Sequence, residues 1–219
     1  MGRLDVLVGR VLLDALSRGE SCVDTAILAQ PGRALAARSP PPGTRLRGGR
    51  LCVEDPLVLA LHLLRLGVSE KEAAKALDWR MFERYAAEAL EEAGFRVWRD
   101  IRLHGPGGLQ VDVLGLDGYG RGVVLECKHW SPRTSQPSRL RSAALRHLER
   151  ARRLAANWQR LGLPRGRYRL VPALLVLREA GIPRLASGVP IVPVSRLRGF
   201  LEELDYLLED TAVAVLEAG

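Results

Sequence analysis

The chain is almost without lysine: of its 33 basic side chains only Lys71, Lys75 and Lys128 are lysines. It has one asparagine, an aromatic content of 5% and three cysteines. Cys22, Cys52 and Cys127 are odd in number and lack C-x-x-C spacing, so neither a disulfide framework nor a zinc site is expected. Cys22 and Cys52 read instead as buried thiols. Long apolar runs are missing as well. The best stretches, 171–177 and 57–64 (the latter interrupted by His62), fall short of the roughly 18–20 residues that cross a bilayer, which predicts no membrane-spanning helix. The start has no basic region followed by an unbroken apolar stretch, since Arg10 and Asp14 interrupt it, and the expected location is cytoplasmic.

What is present is enough for a core. With 47% hydrophobic and 26% charged residues over 219 positions, the chain has the composition of a folded protein and the length of one large domain or of a core domain with a smaller companion. The formal charge is +8 and the pI about 10.1, a balance that points to polyanionic partners, nucleic acid first. The charge is concentrated. Between 133 and 169 stand eleven arginines and one acid, Glu149. A solvated face in a heat-adapted, archaeal-like protein is the bland explanation for so much arginine. Solvated helices, however, mix signs to form i, i+4 pairs, and this one hardly does. A surface that repels itself in this way fits phosphates. Where lysine survives such a bias, a compact, titratable ammonium is the feature arginine cannot supply. Lys71 and Lys75 fall on a helix read as exposed, which leaves Lys128.

Apolar spacing predicts a helix over 4–17, ended by Gly19, and a second short helix starting near Val23. The Ser39-Pro40-Pro41-Pro42-Gly43 run fits neither helix nor central strand. It leads into 45–53, where two extended pieces flank Gly48-Gly49 as a hairpin. With a third short helix around 33–37, this is the element order of a winged-helix module. Asp55 and Pro56 open a helix to about Leu66, and Ser69-Glu70-Lys71-Glu72 is a capping box for another to Leu77. Residues 1–78 are therefore expected to form a smaller, mostly helical, winged-helix-like N-terminal domain.

From 79 to 219 the pattern changes. An amphipathic helix over 80–93 ends at Gly94. Three extended segments follow, 95–103, 109–116 and 122–130, separated by glycine-rich turns that favour antiparallel neighbours. A basic helix over 138–161, strands at 168–177 and 189–194, and a last helix over 195–208 complete an α/β mixed sheet flanked by helices.

Two of these strands carry charge where burial is expected. Alternation along a strand puts Glu126 and Lys128 on one face and Leu125 and Cys127 on the other, and sets Gln110 and Asp112 opposite Val111 and Val113. Charges set among Val111, Val113, Val123, Val124 and Leu125 need partners or a metal. Asp112 and Glu126, facing each other across a hairpin and joined by the backbone carbonyl of Cys127, would offer hard oxygen ligands suited to Mg²⁺. Lys128 beside them could orient water or stabilise charge on a phosphate. Gln110 and Trp130 share the expected face and are candidates for substrate contact. Arg139, Arg141 and Arg146, with Arg133, are the expected phosphate contacts.

The stretch with Phe82-Glu83 on a helix, Gly94-Phe95-Arg96-Val97, Gln110-Val111-Asp112-Val113-Leu114 and Val124-Leu125-Glu126-Cys127-Lys128-His129-Trp130 resembles the PD-(D/E)xK restriction-endonuclease-like nucleases, in particular the Mrr-type and archaeal Holliday-junction-resolvase branches. It departs from the family name at Val111, where proline is expected. The resemblance implies a restriction-endonuclease-like fold and a DNA endonuclease that hydrolyses phosphodiester bonds with Mg²⁺ or Mn²⁺. Asp112, Glu126 and Lys128 match the motif positions. Glu83 matches the acid on the first helix, with Glu88 as its rival. Two other functions stay open at this point: a non-catalytic DNA-binding protein on a nuclease-like scaffold, and a structure-selective junction resolvase. A homodimer would set two sites against two strands.

Overall fold

The computed structural model describes residues 2–69, 72–73, 77–105, 108–128, 137–177 and 184–219. Lys71 and Lys75 lie outside the described residues. The chain divides into two compact units, Met1–Asp78 and Trp79–Gly219.

In the first unit α1 (Gly2–Ser17) precedes β1 (Cys22–Asp24), a single 3-10 turn (Thr25–Ile27), α2 (Gln30–Arg38), the hairpin β2 (Thr44–Arg47) and β3 (Arg50–Val53), and α3 (Pro56–Arg65). The strands form an antiparallel sheet in the order β1-β3-β2. Val8 and Leu12 of α1, Leu35 and Ala36 of α2, Leu51 of β3 and Leu59 and Leu63 of α3 close one core. Asp55 caps α3 by accepting from the backbone N–H groups of Leu57 and Val58, both at 3.0 Å. Ser69 and Glu72 form their reciprocal capping box, with the Ser69 hydroxyl donating to Glu72 Oε2 at 2.8 Å.

Two expectations fail in this unit. Val23 sits in a strand rather than at the start of a helix, because pairing with Leu51 outweighs the local pattern. What remains helical is the turn capped by Asp24. The cysteines also differ from the reading as thiols: Cys22 and Cys52 are directly opposed in the β1–β3 register and form a disulfide across a separation of 30 residues. Only strand pairing brings them together, so no local spacing announces the bridge.

The second unit is a mixed sheet between helices. Its elements are α4 (Trp79–Glu92), β4 (Arg96–Leu103), β5 (Leu109–Leu116), β6 (Arg121–Lys128), α5 (Pro137–Ala156), β7 (Tyr168–Val176), β8 (Leu185–Ala186), β9 (Val189–Pro193), α6 (Leu197–Glu202), α7 (Leu204–Glu209) and β10 (Leu216–Ala218). The strand order is β4-β5-β6-β7-β9-β8, with β10 pairing antiparallel to the start of β7. β4, β5 and β6 are antiparallel neighbours, as the turns predict, whereas β6, β7 and β9 run parallel. A parallel pair needs a long crossover, and α5 supplies it between β6 and β7. The last helix of the sequence reading is broken into a 3-10 turn, α6 and α7. The short strands β8 and β10 carry too few residues to show a periodic signal.

The two faces of the sheet are covered by different helices. Leu114, Leu116 and Val124 pack with Ala151 and Leu154 of α5, and Leu174 and Val176 with Leu140 and Ala144 of the same helix. Gly115 points to the other face, where a Cβ would stand 2.8 Å from a methyl of Leu90; its missing side chain lets α4 lie close. The β5–β6 turn is held by Asp117, which accepts from the N–H groups of Tyr119 at 2.9 Å and Arg121 at 2.8 Å. Gly120 takes φ +82 there, where a Cβ would meet the Arg167 carbonyl at 2.7 Å. Among the described residues no helix is long and apolar enough to cross a membrane.

The disulfide gives a direct check. Denatured without reductant, the protein is expected to show one reactive thiol, Cys127, and after reduction three, by titration with an aromatic disulfide reagent. Replacing both bridging cysteines with serine should lower the stability of the first unit by about 3–4 kcal/mol, from the loop it closes, read in urea unfolding.

Candidate active site

The β5–β6 ladder runs from Leu116 opposite Gly122 to Val113 opposite Leu125, and its registered pairs stop there. Beyond that rung β5 continues to pair with β4, through Val111 and Gln110 to Leu109. β6 continues with β7, through Glu126 and Cys127 to Lys128. Where the shared ladder ends, a side chain takes over: Asp112 Oδ2 accepts the Cys127 N–H at 2.8 Å. The N–H and C=O of a strand residue lie on the same edge, so the Cys127 carbonyl is also directed to the β5 side.

Glu126 is the most deeply buried of the three charged groups, 2% exposed against 29% for Lys128. Its face of the sheet is the one covered by α5. Lys128 Nζ contacts Glu126 Oε1, and Arg150 Nη2 of α5 donates to the same oxygen at 2.9 Å. Glu126 Oε2 is buried with no hydrogen-bond partner. Burial pushes the Glu126 carboxyl upward, but Lys128 and Arg150 outweigh it and hold the group below its ordinary value. Asp112 goes the other way. Burial and the neighbouring Glu126 charge raise it, against the pull of the Cys127 N–H, Lys128 and Arg150.

This donor set fits a divalent cation. Two carboxylates that repel one another, one of them with an orphaned buried oxygen, beside a backbone carbonyl, form an all-oxygen environment of the kind a hard ion takes. A cation there would offset both the burial and the repulsion that raise Asp112.

The structure therefore brings Asp112, Glu126, Lys128 and the Cys127 backbone together. Glu83, on the half-buried side of α4, adds its charge to those of Asp112 and Glu126 in raising the Cys127 thiol, after burial itself. Glu88 is exposed and lies 3.7 Å from Arg84 one turn away. Gln110 does not join the group: it is exposed and donates to Asp100 Oδ1 at 3.2 Å. Asp100 has a left-handed φ of 51 at that point of β4. Arg139, Arg141 and Arg146 are exposed on α5. Arg133, His129 and Trp130 lie outside the described residues.

Sequence reasoning missed two residues. His147 is completely buried, with its Nε2 2.8 Å from the Val124 carbonyl oxygen and its Nδ1 3.7 Å from Glu126 Oε2. A carbonyl can only accept, so Nε2 carries the proton and Nδ1 presents a lone pair. Its signal was a histidine on the apolar stripe of Leu140, Ala144, Ala151 and Leu154. Arg150, counted only as one of many arginines, stands three positions further along the same flank.

The restriction endonuclease family model (Mrr_cat) matches residues 74–155, somewhat more than a third of the chain. The segment from α4 to the end of α5 is thus restriction-endonuclease-like, in keeping with the PD-(D/E)xK resemblance and with the mixed sheet flanked by helices. No curated protein matches the chain. Among solved structures the chain is similar to the crystal structure of protein VC1899 from Vibrio cholerae, at 11% identity and a TM-score of 0.35, over 97% of this chain and 57% of that one. The chain thus spans little more than half the length of that protein.

The His147 environment has a measurable consequence. Burial lowers its pKa from 6.5 to about 4, so the folded protein keeps the ring neutral while the unfolded chain protonates it. Between pH 6.5 and 4 the unfolded state binds more protons, and stability falls as pH falls, by about 3 kcal/mol in all from this group. Urea unfolding of the metal-free protein across that window should show the decline, and His147→Gln should flatten it.

Proposed function

We propose that the protein is a metal-dependent DNA endonuclease that hydrolyses phosphodiester bonds with an activated water. The observation that supports this most is the meeting of Asp112, Glu126 and Lys128 at the point where β5 and β6 cease to pair, inside a segment matched by a restriction endonuclease family.

Asp112, Glu126 and the Cys127 carbonyl would hold Mg²⁺ or Mn²⁺. Such an ion, when bound, lowers the pKa of water and offsets charge on a phosphate. The protein's own groups do the rest. Lys128, partly exposed and directed to Glu126, orients the attacking water and adds positive charge beside the scissile phosphate. Glu83 adds a third carboxylate from α4. His147 and Arg150 back Glu126 from α5.

Binding comes from a different set of residues. The exposed Arg139, Arg141 and Arg146, with Arg133 before them in sequence, supply sequence-independent phosphate contacts. In the first unit, α2 followed by the hairpin β2–β3 has the order of a winged helix, and the hairpin carries Arg45, Arg47 and Arg50 around its Gly48-Gly49 tip. We assign that unit a role in positioning DNA.

The expected outcomes are specific. Supercoiled plasmid incubated with Mg²⁺ or Mn²⁺ should be nicked or linearised, and EDTA should stop it. Asp112→Ala and Lys128→Ala should each reduce cleavage by a hundredfold or more, while Lys128→Ala binds DNA within a few-fold of the native protein, because the arginines carry the affinity. Cleavage unchanged in either variant removes the catalytic assignment; DNA binding without metal-dependent cleavage turns the reading toward a docking scaffold. Affinity should also drop steeply with salt, and the slope should shrink in an Arg139→Ala/Arg146→Ala variant.

A further inference from the structure

Glu126 Oε1 is held twice and Oε2 not at all. The two donors on Oε1 differ. Lys128 is two residues away on the same strand, a compact ammonium on a flexible stem. Arg150 comes from α5, a planar guanidinium whose Nη2 takes Glu126 at 2.9 Å while Nε is directed to the Arg146 carbonyl at 3.4 Å. A lysine that acts on a reacting water or on a phosphate has to give up part of its bond to the carboxylate. If it were the sole donor, Glu126 would lose its orientation whenever Lys128 engaged the substrate. A second cation, anchored on another element, removes that conflict.

From this geometry we infer that Arg150 is a positioning residue of the metal site. It fixes Glu126 Oε1 so that Oε2 is offered to the cation, and it leaves Lys128 available to the substrate. The inference rests on the reading of the site as a metal-dependent nuclease. His147 of the same helix packs 3.7 Å from Oε2, with its Nε2 committed to the Val124 carbonyl.

Arg150 also has a particular place on α5. At 3.6 residues per turn, Arg139, Arg146 and Arg150 fall on one stripe, the flank that reaches Glu126. Arg152, exposed on the same helix, points nearly to its opposite side, about 160° from Arg150. It carries the same charge without the contact, so it separates loss of positive charge from loss of position.

The test is Mn²⁺ binding, measured by titration calorimetry on the full chain without DNA, for the native protein and for Arg150→Met, Arg150→Gln, Arg152→Met and Asp112→Asn. Partners that hold a metal ligand in place are typically worth about 10–100-fold in affinity. Arg150→Met should weaken Mn²⁺ by that factor, Arg150→Gln less but in the same direction, and Arg152→Met not at all; Asp112→Asn should abolish it. The Mg²⁺ concentration for half-maximal cleavage should rise in parallel, with DNA affinity reduced no further than in Arg152→Met. Circular dichroism establishes which variants are folded, and Arg150→Gln carries the decision if Arg150→Met is not. Native Mn²⁺ affinity in the folded Arg150 variants, or a loss confined to DNA binding, overturns the inference; the nuclease reading then stands as long as Asp112→Asn removes the metal. A native protein that binds no Mn²⁺ through Asp112 overturns both.

Discussion

Burying one carboxylate inside a sheet is the constraint around which the second unit is arranged. Glu126 is 2% exposed, and removing an ion of that kind from water costs on the order of several kcal/mol unless other groups offset it. The compensation on Glu126 itself is drawn from two elements, through Lys128 and Arg150, while Asp112 adds a like charge beside it. Lys128 lies on the same strand and Arg150 comes from the crossover helix, where the neutral His147 packs beside them; Asp112 stands on the neighbouring strand, tied to the backbone next to Glu126 through the Cys127 N–H. Even so, Glu126 Oε2 has no hydrogen-bond partner, and burial together with the Glu126 charge raises Asp112. A fold optimised for stability alone would place an apolar side chain there.

Much of this could be read from residue patterns. Leu109–Leu116 and the strand ending at Lys128 are short apolar runs between glycine turns, and strict alternation assigns Glu126 and Lys128 a common face without reference to any fold. Asp55 and Ser69 announce helix starts because capping is a local interaction. What escaped has non-local causes. Cys22 meets Cys52 only through the β1–β3 register. Val23 reads as helical until Leu51 is available to pair with it. Gln110 shares the parity of Asp112, yet its side chain bonds to Asp100 of β4 instead. His147 and Arg150 required knowledge of which flank of α5 lies against β6, and one helix sequence does not supply it.

The arginines of α5 divide by position rather than by type. Arg139, Arg141 and Arg146 are open to solvent, and their charge is available at long range. Arg150, identical in chemistry, is 29% exposed and committed to a carboxylate. Net charge therefore overstates the positive surface open to solvent, because part of it, on the same helix, is committed to a buried carboxylate.

The Asp117–Gly120 turn sits at the far end of the hairpin from the carboxylates, about 17 Å from Glu126 along β6 at a rise of roughly 3.3 Å per residue. Strand side chains repeat every second residue, so a one-residue slip of β6 against β5 and β7 would carry Glu126 and Lys128 to the α4 side and present Leu125 and Cys127 to α5. The register of β6 thus decides which of its side chains face α5.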